Sequence, residues 1–212
     1  LIVDKSISLT GELADLYDSG LSQDDNITNI NTPLFTGNTD PESTVVIRIG
    51  GTVVGTVTAD VTGFWEYAHS TPLADGTHPY IISATDTYGN STEVSGQNVI
   101  GQLVIDTSAP IFSGQLSETT DSGIVGDKIT QDTVLTYHGA GETGATVTLE
   151  IAGETYTTTV LSGEWSITTT DLPLGEHTVA MTIADVAGNE REISEISAVR
   201  PSWAFPPYRQ VR

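Results

Sequence analysis

Thr146-Val-Thr-Leu-Glu-Ile151 alternates polar and apolar residues without a break. Successive side chains of a β-strand point to opposite faces, so Val147, Leu149 and Ile151 share one face and Thr146, Thr148 and Glu150 the other. His177-Thr-Val-Ala-Met-Thr-Ile183 has the same pattern, with Val179, Met181 and Ile183 directed inward. Both strings have counterparts 99 to 102 residues earlier, in Val45, Ile47 and Ile49 and in Tyr80, Ile82 and Ala84. Gly37-Asn38, Gly50-Gly51, Asp75-Gly76, Gly89-Asn90 and Gly188-Asn189 read as turns between strands. Short alternating strands with turns at roughly 8–12-residue spacing, and no amphipathic helix, predict an all-β fold of antiparallel sandwiches with about seven strands each.

The duplication extends beyond these strands. Leu1-Ile-Val-Asp-Lys-Ser6 returns as Leu103-Val-Ile-Asp-Thr-Ser108, and Asp18-Ser-Gly20 as Asp121-Ser-Gly123. Asp25-Asn-Ile-Thr28 matches Asp127-Lys-Ile-Thr130, Gly63-Phe-Trp65 matches Gly163-Glu-Trp165, and Asp86–Asn90 matches Asp185–Asn189. The order is kept and the offset drifts by only a few residues, so one module occurs twice. The expected boundaries are residues 1–105 for the first module and 106–200 for the second, placed end to end, with the junction near Gly101–Asp106. Residues 201–212, rich in proline, read as a disordered tail or remnant.

Of 212 residues, 28 are acidic and 7 basic, for a net charge of −21. Residues 1–105 carry 13 acids and 2 bases; residues 106–199 carry 15 and 2. Phosphate affinity comes from Lys and Arg, so nucleic-acid binding is excluded, and docking on an anionic membrane surface is disfavoured. There is no cysteine, which excludes disulfides, thiolate metal sites and thiol catalysis. No apolar run reaches the roughly 18 residues of a membrane-spanning helix, so membrane insertion is not expected. The opening LIVD reads like the middle of a strand with no signal peptide, and the chain is expected to be an excised fragment, monomeric in solution.

Several strings together carry a family resemblance: VIDTSAP (104–110), TDSGIVGDKIT (120–130), GETGATVTLEIAG (141–153), SGEWSITT (162–169) and PLGEHTVAMTIADVAGNE (173–190). They resemble the bacterial immunoglobulin-like tandem repeats of giant adhesins exported by type I secretion, the RTX-adhesin kind. The first copy departs from the pattern: VIDTSAP becomes IVDKSIS, and one residue is inserted before Asp25. The resemblance implies immunoglobulin-like sandwiches in a rod of neighbouring repeats, calcium at the junctions, and a secreted, cell-surface location. The rod would be a spacer supporting adhesion or biofilm formation, with any host glycan or protein bound by other parts of the parent.

The acids near the module ends are the candidate chemistry. Threading the second module as a sandwich puts the Asp-Ser-Gly loop and the chain exit at one pole, and the entry Asp and the Asp185–Asn189 turn at the other. Stacking two modules then gathers Asp18, Asp24, Asp25 and Asp106 opposite Asp185. Asp4, Asp86, Asp121 and Asp127 hold the equivalent positions elsewhere in the duplication. Carboxylates crowded in this way repel, and calcium, which accepts six to eight oxygen ligands, relieves the repulsion. The plain alternative is that these aspartates cap turns and keep the surface soluble. The window from Asp121 is not an EF-hand: Gly123 and Val125 stand where oxygen ligands belong, and Asp132 ends it in place of Glu.

Catalysis is not expected. G-x-S-x-G, H-E-x-x-H, P-loop and G-x-G-x-x-G motifs are all missing from the sequence. His78 and His177 sit at equivalent strand starts, which points to structure, with His69 and His138 the remaining histidines. The rival reading is a calcium-dependent carbohydrate- or protein-binding module that touches its target directly, with Trp65 and Trp165 as stacking platforms. Both tryptophans begin strands whose alternate residues are apolar, which favours a core position. Tyr17, Tyr88 and Tyr137 are expected nearer the poles. Asn26-Ile-Thr28 and Asn90-Ser-Thr92 match the glycosylation sequon, which means little in a bacterial chain.

Overall fold

The computed structural model describes residues 6–95 and 102–201. Asp4, the first LIVDKS copy up to Lys5 and the tail beyond Pro201 lie outside them. The chain forms two compact units: one runs to Ser108 and takes in Val186–Asn189, and the other comprises Ala109–Asp185 and Glu190 onward.

The first unit has β1 (Glu12–Leu13), a single 3-10 turn at Asp15–Tyr17, β2 (Ile27–Thr28), β3 (Leu34–Asn38) and β4 (Thr44–Ile49). β5 (Thr52–Thr58), β6 (Phe64–Ala68), β7 (Gly76–Thr85), β8 (Ser91–Ser95) and β9 (Gln102–Ile105) complete it. One sheet has the order β1-β3-β6; the other runs β2-β9-β7-β4-β5, with β8 also paired to β7. The second unit has β10 (Gln115–Leu116), β11 (Ile129–Thr130), β12 (Thr136–Ala140) and β13 (Thr146–Ile151). It continues through β14 (Glu154–Thr159), β15 (Glu164–Thr168), β16 (Gly175–Ala184) and β17 (Glu190–Val199). Its sheets, β10-β12-β15 and β11-β17-β16-β13-β14, repeat the topology of the first.

The sandwich is not antiparallel throughout. β2 runs parallel to β9 (Ile27 opposite Val104), and β11 parallel to β17 (Ile129 opposite Ala198). The cause is a strand that changes sheet. β1 and β10 pair in the smaller sheet, the chain loops past the aspartates, and β2 and β11 join the larger sheet beside the exit strand.

The alternation places the cores as the sequence indicates. Val45, Ile47, Ile49, Tyr80, Ile82 and Ala84 are buried in the first unit, and Val147, Leu149, Ile151, Val179, Met181 and Ile183 in the second. Trp65 and Trp165 are 2% and 4% exposed, at equivalent places in β6 and β15. The Trp165 indole N–H donates to the Ser113 carbonyl at 3.0 Å. Tyr137 is not a polar residue near a pole but a fully buried core residue opposite Leu116, as Phe35 is opposite Leu13. Gly37-Asn38 is not a turn: both residues lie within β3. A Cβ on Gly37 would come within 2.0 Å of the Thr10 carbonyl oxygen, and one on its counterpart Gly139 within 1.9 Å of that of Ser113. These glycines allow two backbones to approach closely inside the sheet. His78 and His177 act alike: the Nε2 of each lies 2.7 or 2.8 Å from a carbonyl four residues earlier, Ala74 or Pro173.

Candidate functional site

The loop between β1 and β2 carries the first acidic group. The 3-10 turn at Asp15–Tyr17 delivers Asp18 into the protein, where it is 2% exposed. Its Oδ2 accepts the Asn26 amide at 3.0 Å, while Oδ1 is buried with no hydrogen-bond partner. Burial raises the Asp18 pKa above its ordinary value; the charges of Asp25, Asp24 and Asp15 push the same way and the Asn26 bond opposes them. Asp25 turns its own loop, with Oδ1 accepting the Ile27 amide at 3.0 Å, and Asn26 follows at φ 58°. The Asp24 amide donates to Ser22 Oγ at 3.2 Å. Asp106 leaves β9 beside this loop: its amide donates to the Thr28 carbonyl at 3.0 Å and its Oδ1 accepts the Ser108 amide at 3.0 Å.

The second unit repeats the arrangement. Asp121 is 3% exposed; its Oδ2 accepts the Gly126 amide at 2.6 Å and its Oδ1 is again buried without a partner. Asp127 Oδ1 accepts the Ile129 amide at 2.9 Å, as Asp25 does for Ile27. Ser19 Oγ lies 3.0 Å from Thr28 Oγ1, and Ser122 Oγ 3.0 Å from Thr130 Oγ1. The duplication therefore keeps a buried carboxylate with one oxygen used and one unused.

One expected member lies elsewhere. Asp86 follows β7 at the end opposite the Gly76–Ile105 pairing, far from Asp18. Its Oδ1 accepts the Tyr88 and Asn90 amides and its Oδ2 the Asn90 side-chain amide, at 2.7–2.9 Å. Burial works to raise its pKa, but the bonds from Asn90, Tyr88 and Gly89 prevail and hold it below the ordinary value. This is a turn cap with both oxygens engaged. Asp185 is buried at the equivalent end of β16, directly before the Val186–Asn189 segment that the first unit takes in, where the Ser19 hydroxyl donates to the Ala187 carbonyl at 2.6 Å and the Asn189 side-chain amide to the Asp106 carbonyl at 2.8 Å.

Sequence reasoning missed several polar groups. Asp75 Oδ1 accepts the Thr107 amide and hydroxyl at 3.1 and 2.8 Å, and its Oδ2 accepts the Ser108 hydroxyl at 2.8 Å. The hydroxyl bonds from Thr107 and Ser108 hold the Asp75 pKa below the ordinary value. Lys128 pairs with Glu195, whose Oε1 is otherwise unpartnered. Nearby, the Tyr137 hydroxyl donates to Ser197 Oγ at 3.0 Å, and burial pushes its pKa up to about 12. Glu195 sits on the inward parity of β17, a signal visible only once its register against β16 is known.

Among the described residues, no group of three or more His, Asp or Glu side chains converges in a metal-holding arrangement. The fit to a hard cation therefore rests on the unpartnered oxygens. A carboxylate oxygen, buried and without a donor beside other acids, suits calcium better than any softer metal. The buried indoles of Trp65 and Trp165 cannot serve as flat sugar platforms.

The bacterial Ig-like domain family matches residues 6–107 and again residues 108–199. The chain belongs to that family, in two tandem copies. The chain is also similar to parts of solved structures. One is a 1.5-MDa bacterial ice-binding adhesin studied for its retention at the host cell surface: 24% identity, TM-score 0.42, over 91% of this chain and 63% of that one. Another is a tetra-tandem repeat from the extending region of a large adhesion protein: 25% identity, TM-score 0.36, over 92% and 49%. A third is the fibronectin(III)-like modules of Clostridium thermocellum CbhA: 13% identity, TM-score 0.49, over 82% and 88%. The chain spans less than two thirds of either adhesin structure. No curated protein matches it. No helix among the described residues is long and apolar enough to cross a membrane.

Proposed function

We propose that this pair of modules is a non-enzymatic, calcium-stiffened spacer from a large, secreted, cell-surface bacterial adhesin of the RTX, type I-exported kind. The observation that carries the calcium reading is the duplicated carboxylate: Asp18 and Asp121 are both buried, and each leaves Oδ1 without a partner. In the first unit Asp18 and Asp25 would offer carboxylate oxygens to the cation, and in the second Asp121 and Asp127 would, with backbone carbonyls and water completing each set. Bound calcium would supply the positive charge that the buried carboxylates lack, and their unpartnered oxygens would coordinate it. The spacer reading rests on family membership, the tandem repetition, and the sequence resemblance to adhesin repeats. Partners are then the neighbouring repeats of the same chain, and host contact belongs to other parts of the parent.

The test is a calcium titration read by melting temperature and small-angle scattering. Calcium is expected to raise the melting temperature and narrow the spread of the maximum dimension, and chelator to reverse both. Unchanged melting and unchanged scattering would overturn the calcium reading. Antibody labelling of intact bacteria expressing the parent tests the surface location, with labelling confined to broken cells as the contrary result.

A further inference from the structure

We infer that the solvent-facing side of the larger sheet in the first unit is a binding site for a carboxylate-bearing saccharide, clamped by Arg48. A concavity of about 550 Å³ opens there, lined by Arg48, Ile81, Ser83, Thr85, Ser91 and Glu93 among others. That volume lies within the range of small-molecule sites, roughly 300–1,000 Å³.

Three features of the first unit converge on this surface. First, Arg48 is the only Lys or Arg among the first unit's described residues up to Ser108. Arg48 is half-buried, and among the described residues its guanidinium makes one hydrogen bond, from Nη1 to Ser83 Oγ at 3.1 Å. Ser83 Oγ donates in turn to the Val46 carbonyl at 3.4 Å, which orients the hydroxyl as the acceptor for Arg48. The ion pairs among the described residues, Lys128–Glu195 and Arg200–Glu176, involve other cations. Among the described residues Arg48 thus has no carboxylate partner, in a strongly acidic module, and most of its five donors make no hydrogen bond there.

Second, the ladder between β4 and β5 slips between Ile47 and Arg48. Such a bulge re-aims the side chain beside it. Third, the other copy has a smaller concavity there, of about 390 Å³, but lacks both the cation and the bulge. Glu150 stands at the position of Arg48, opposite Ala180 where the first unit has Ile81, and the β13–β14 register is unbroken. The cationic lining therefore does not follow from the shared fold.

The chemistry of the lining selects the ligand. A guanidinium offers paired donors that match a carboxylate. Glu93, also in the lining, accepts hydrogen bonds and repels bare polyanions, so it favours a ligand with hydroxyl donors near its acid group. Ser83, Thr85 and Ser91 add hydroxyls that donate and accept, and Ile81 offers an apolar surface for a ring face. A uronic-acid type of sugar meets all these demands; a neutral sugar leaves Arg48 unmatched, and inorganic phosphate meets Glu93. The proposal does not rest on the spacer reading, and either can fail alone.

The test is amide chemical-shift mapping on the full chain with three probes: a glucuronate disaccharide, its neutral glucose counterpart, and inorganic phosphate. The glucuronate is expected to shift the amides of Arg48, Ser83 and Glu93, and the other two probes to leave them. Arg48→Gln should weaken glucuronate binding by about tenfold or more, the scale of one charge-assisted hydrogen bond. Ser83→Ala should weaken it less, with an otherwise unchanged spectrum reporting an intact fold, and Glu150→Ala in the second unit should have no effect. If Arg48→Gln perturbs the fold, Ser83→Ala alone decides. Shifts absent with glucuronate, or unaltered in the variants, overturn the site. Equal shifts with phosphate reduce it to a general anion pocket and overturn the saccharide assignment.

Discussion

Asp18 and Asn26 share one hydrogen bond, from the Asn26 amide to Oδ2 at 3.0 Å, and the other oxygen of that carboxylate is buried and unused. A folded-state pKa raised by burial means that this carboxylate favours folding only below its unfolded pKa, and that the contribution is lost as pH rises through the folded value. At neutral pH without a cation, Asp18 therefore works against the first unit.

Asp18→Asn removes the charge and keeps an oxygen for the Asn26 amide. In chelator, the variant should melt at or above the parent temperature. In calcium, the parent should gain about 1.4 kcal/mol per site at ten times Kd, and the first unit of the variant should gain nothing. Differential scanning calorimetry in both buffers checks this. A variant that gains as much as the parent would remove Asp18 from the cation site.

The first unit should also weaken in mild acid. His69 is 8% exposed, with Nδ1 3.2 Å from the Tyr67 hydroxyl, which itself donates to the Val54 carbonyl. Burial lowers the His69 pKa below 6.5, and the charge of His78 adds to the effect. For a depressed folded pKa, the stabilisation is complete above the unfolded value and disappears as pH falls through the folded one. Melting of the first unit should drop between pH about 7 and about 5, and His69→Gln should flatten that slope. The second unit has Thr169 at the equivalent position and lacks this term.

Trp165 fills the second core and bonds Ser113 at 3.0 Å. Trp165→Ala should cost about 3–5 kcal/mol. Trp165→Phe should cost less, with the loss of the Ser113 bond contributing about 1 kcal/mol. Urea unfolding followed through the second unit measures both.

Gly139→Ala would force a Cβ to 1.9 Å from the Ser113 carbonyl oxygen. The strand must move, at a cost of about 1–3 kcal/mol or more. An alanine at the neighbouring exposed Ala140 is native, so the penalty is positional rather than a matter of strand propensity. Comparison of G139A with the parent in the same urea series tests it.

The cores were legible because period-two alternation at Val147–Ile151 and Val179–Ile183 needs no knowledge of pairing. Gly37 was misread because a glycine in a strand and a glycine in a turn look alike in sequence; the difference is the Thr10 carbonyl oxygen, which would stand 2.0 Å from a Cβ at Gly37. The parallel pairing of Ile27 with Val104 was equally hidden, since a two-residue strand has no period to read. For the acids, the Asp-Ser-Gly repeat marked Asp18 and Asp121, but their burial and the idle Oδ1 depend on the loop's path. Asp86 shares that spacing signal, and its oxygens go to Asn90 and Tyr88. Arg48 gave no sequence signal, because an arginine at a solvent-facing strand position is ordinary, and its missing carboxylate partner shows only in three dimensions.

The strand that changes sheet has a mechanical consequence. Beside the exit strand it is held by Val104 N to Asn26 O and Asp106 N to Thr28 O in the first unit, and by Ala198 N to Lys128 O and Arg200 N to Thr130 O in the second, at 2.7–3.0 Å. Because the two strands run parallel, tension applied to the chain at both ends of a unit pulls them in opposite senses along their shared axis. The bonds of each pair then carry load together in shear instead of opening one after another. A tether that must survive flow benefits from failing this way, because rupture requires both bonds to break in one event.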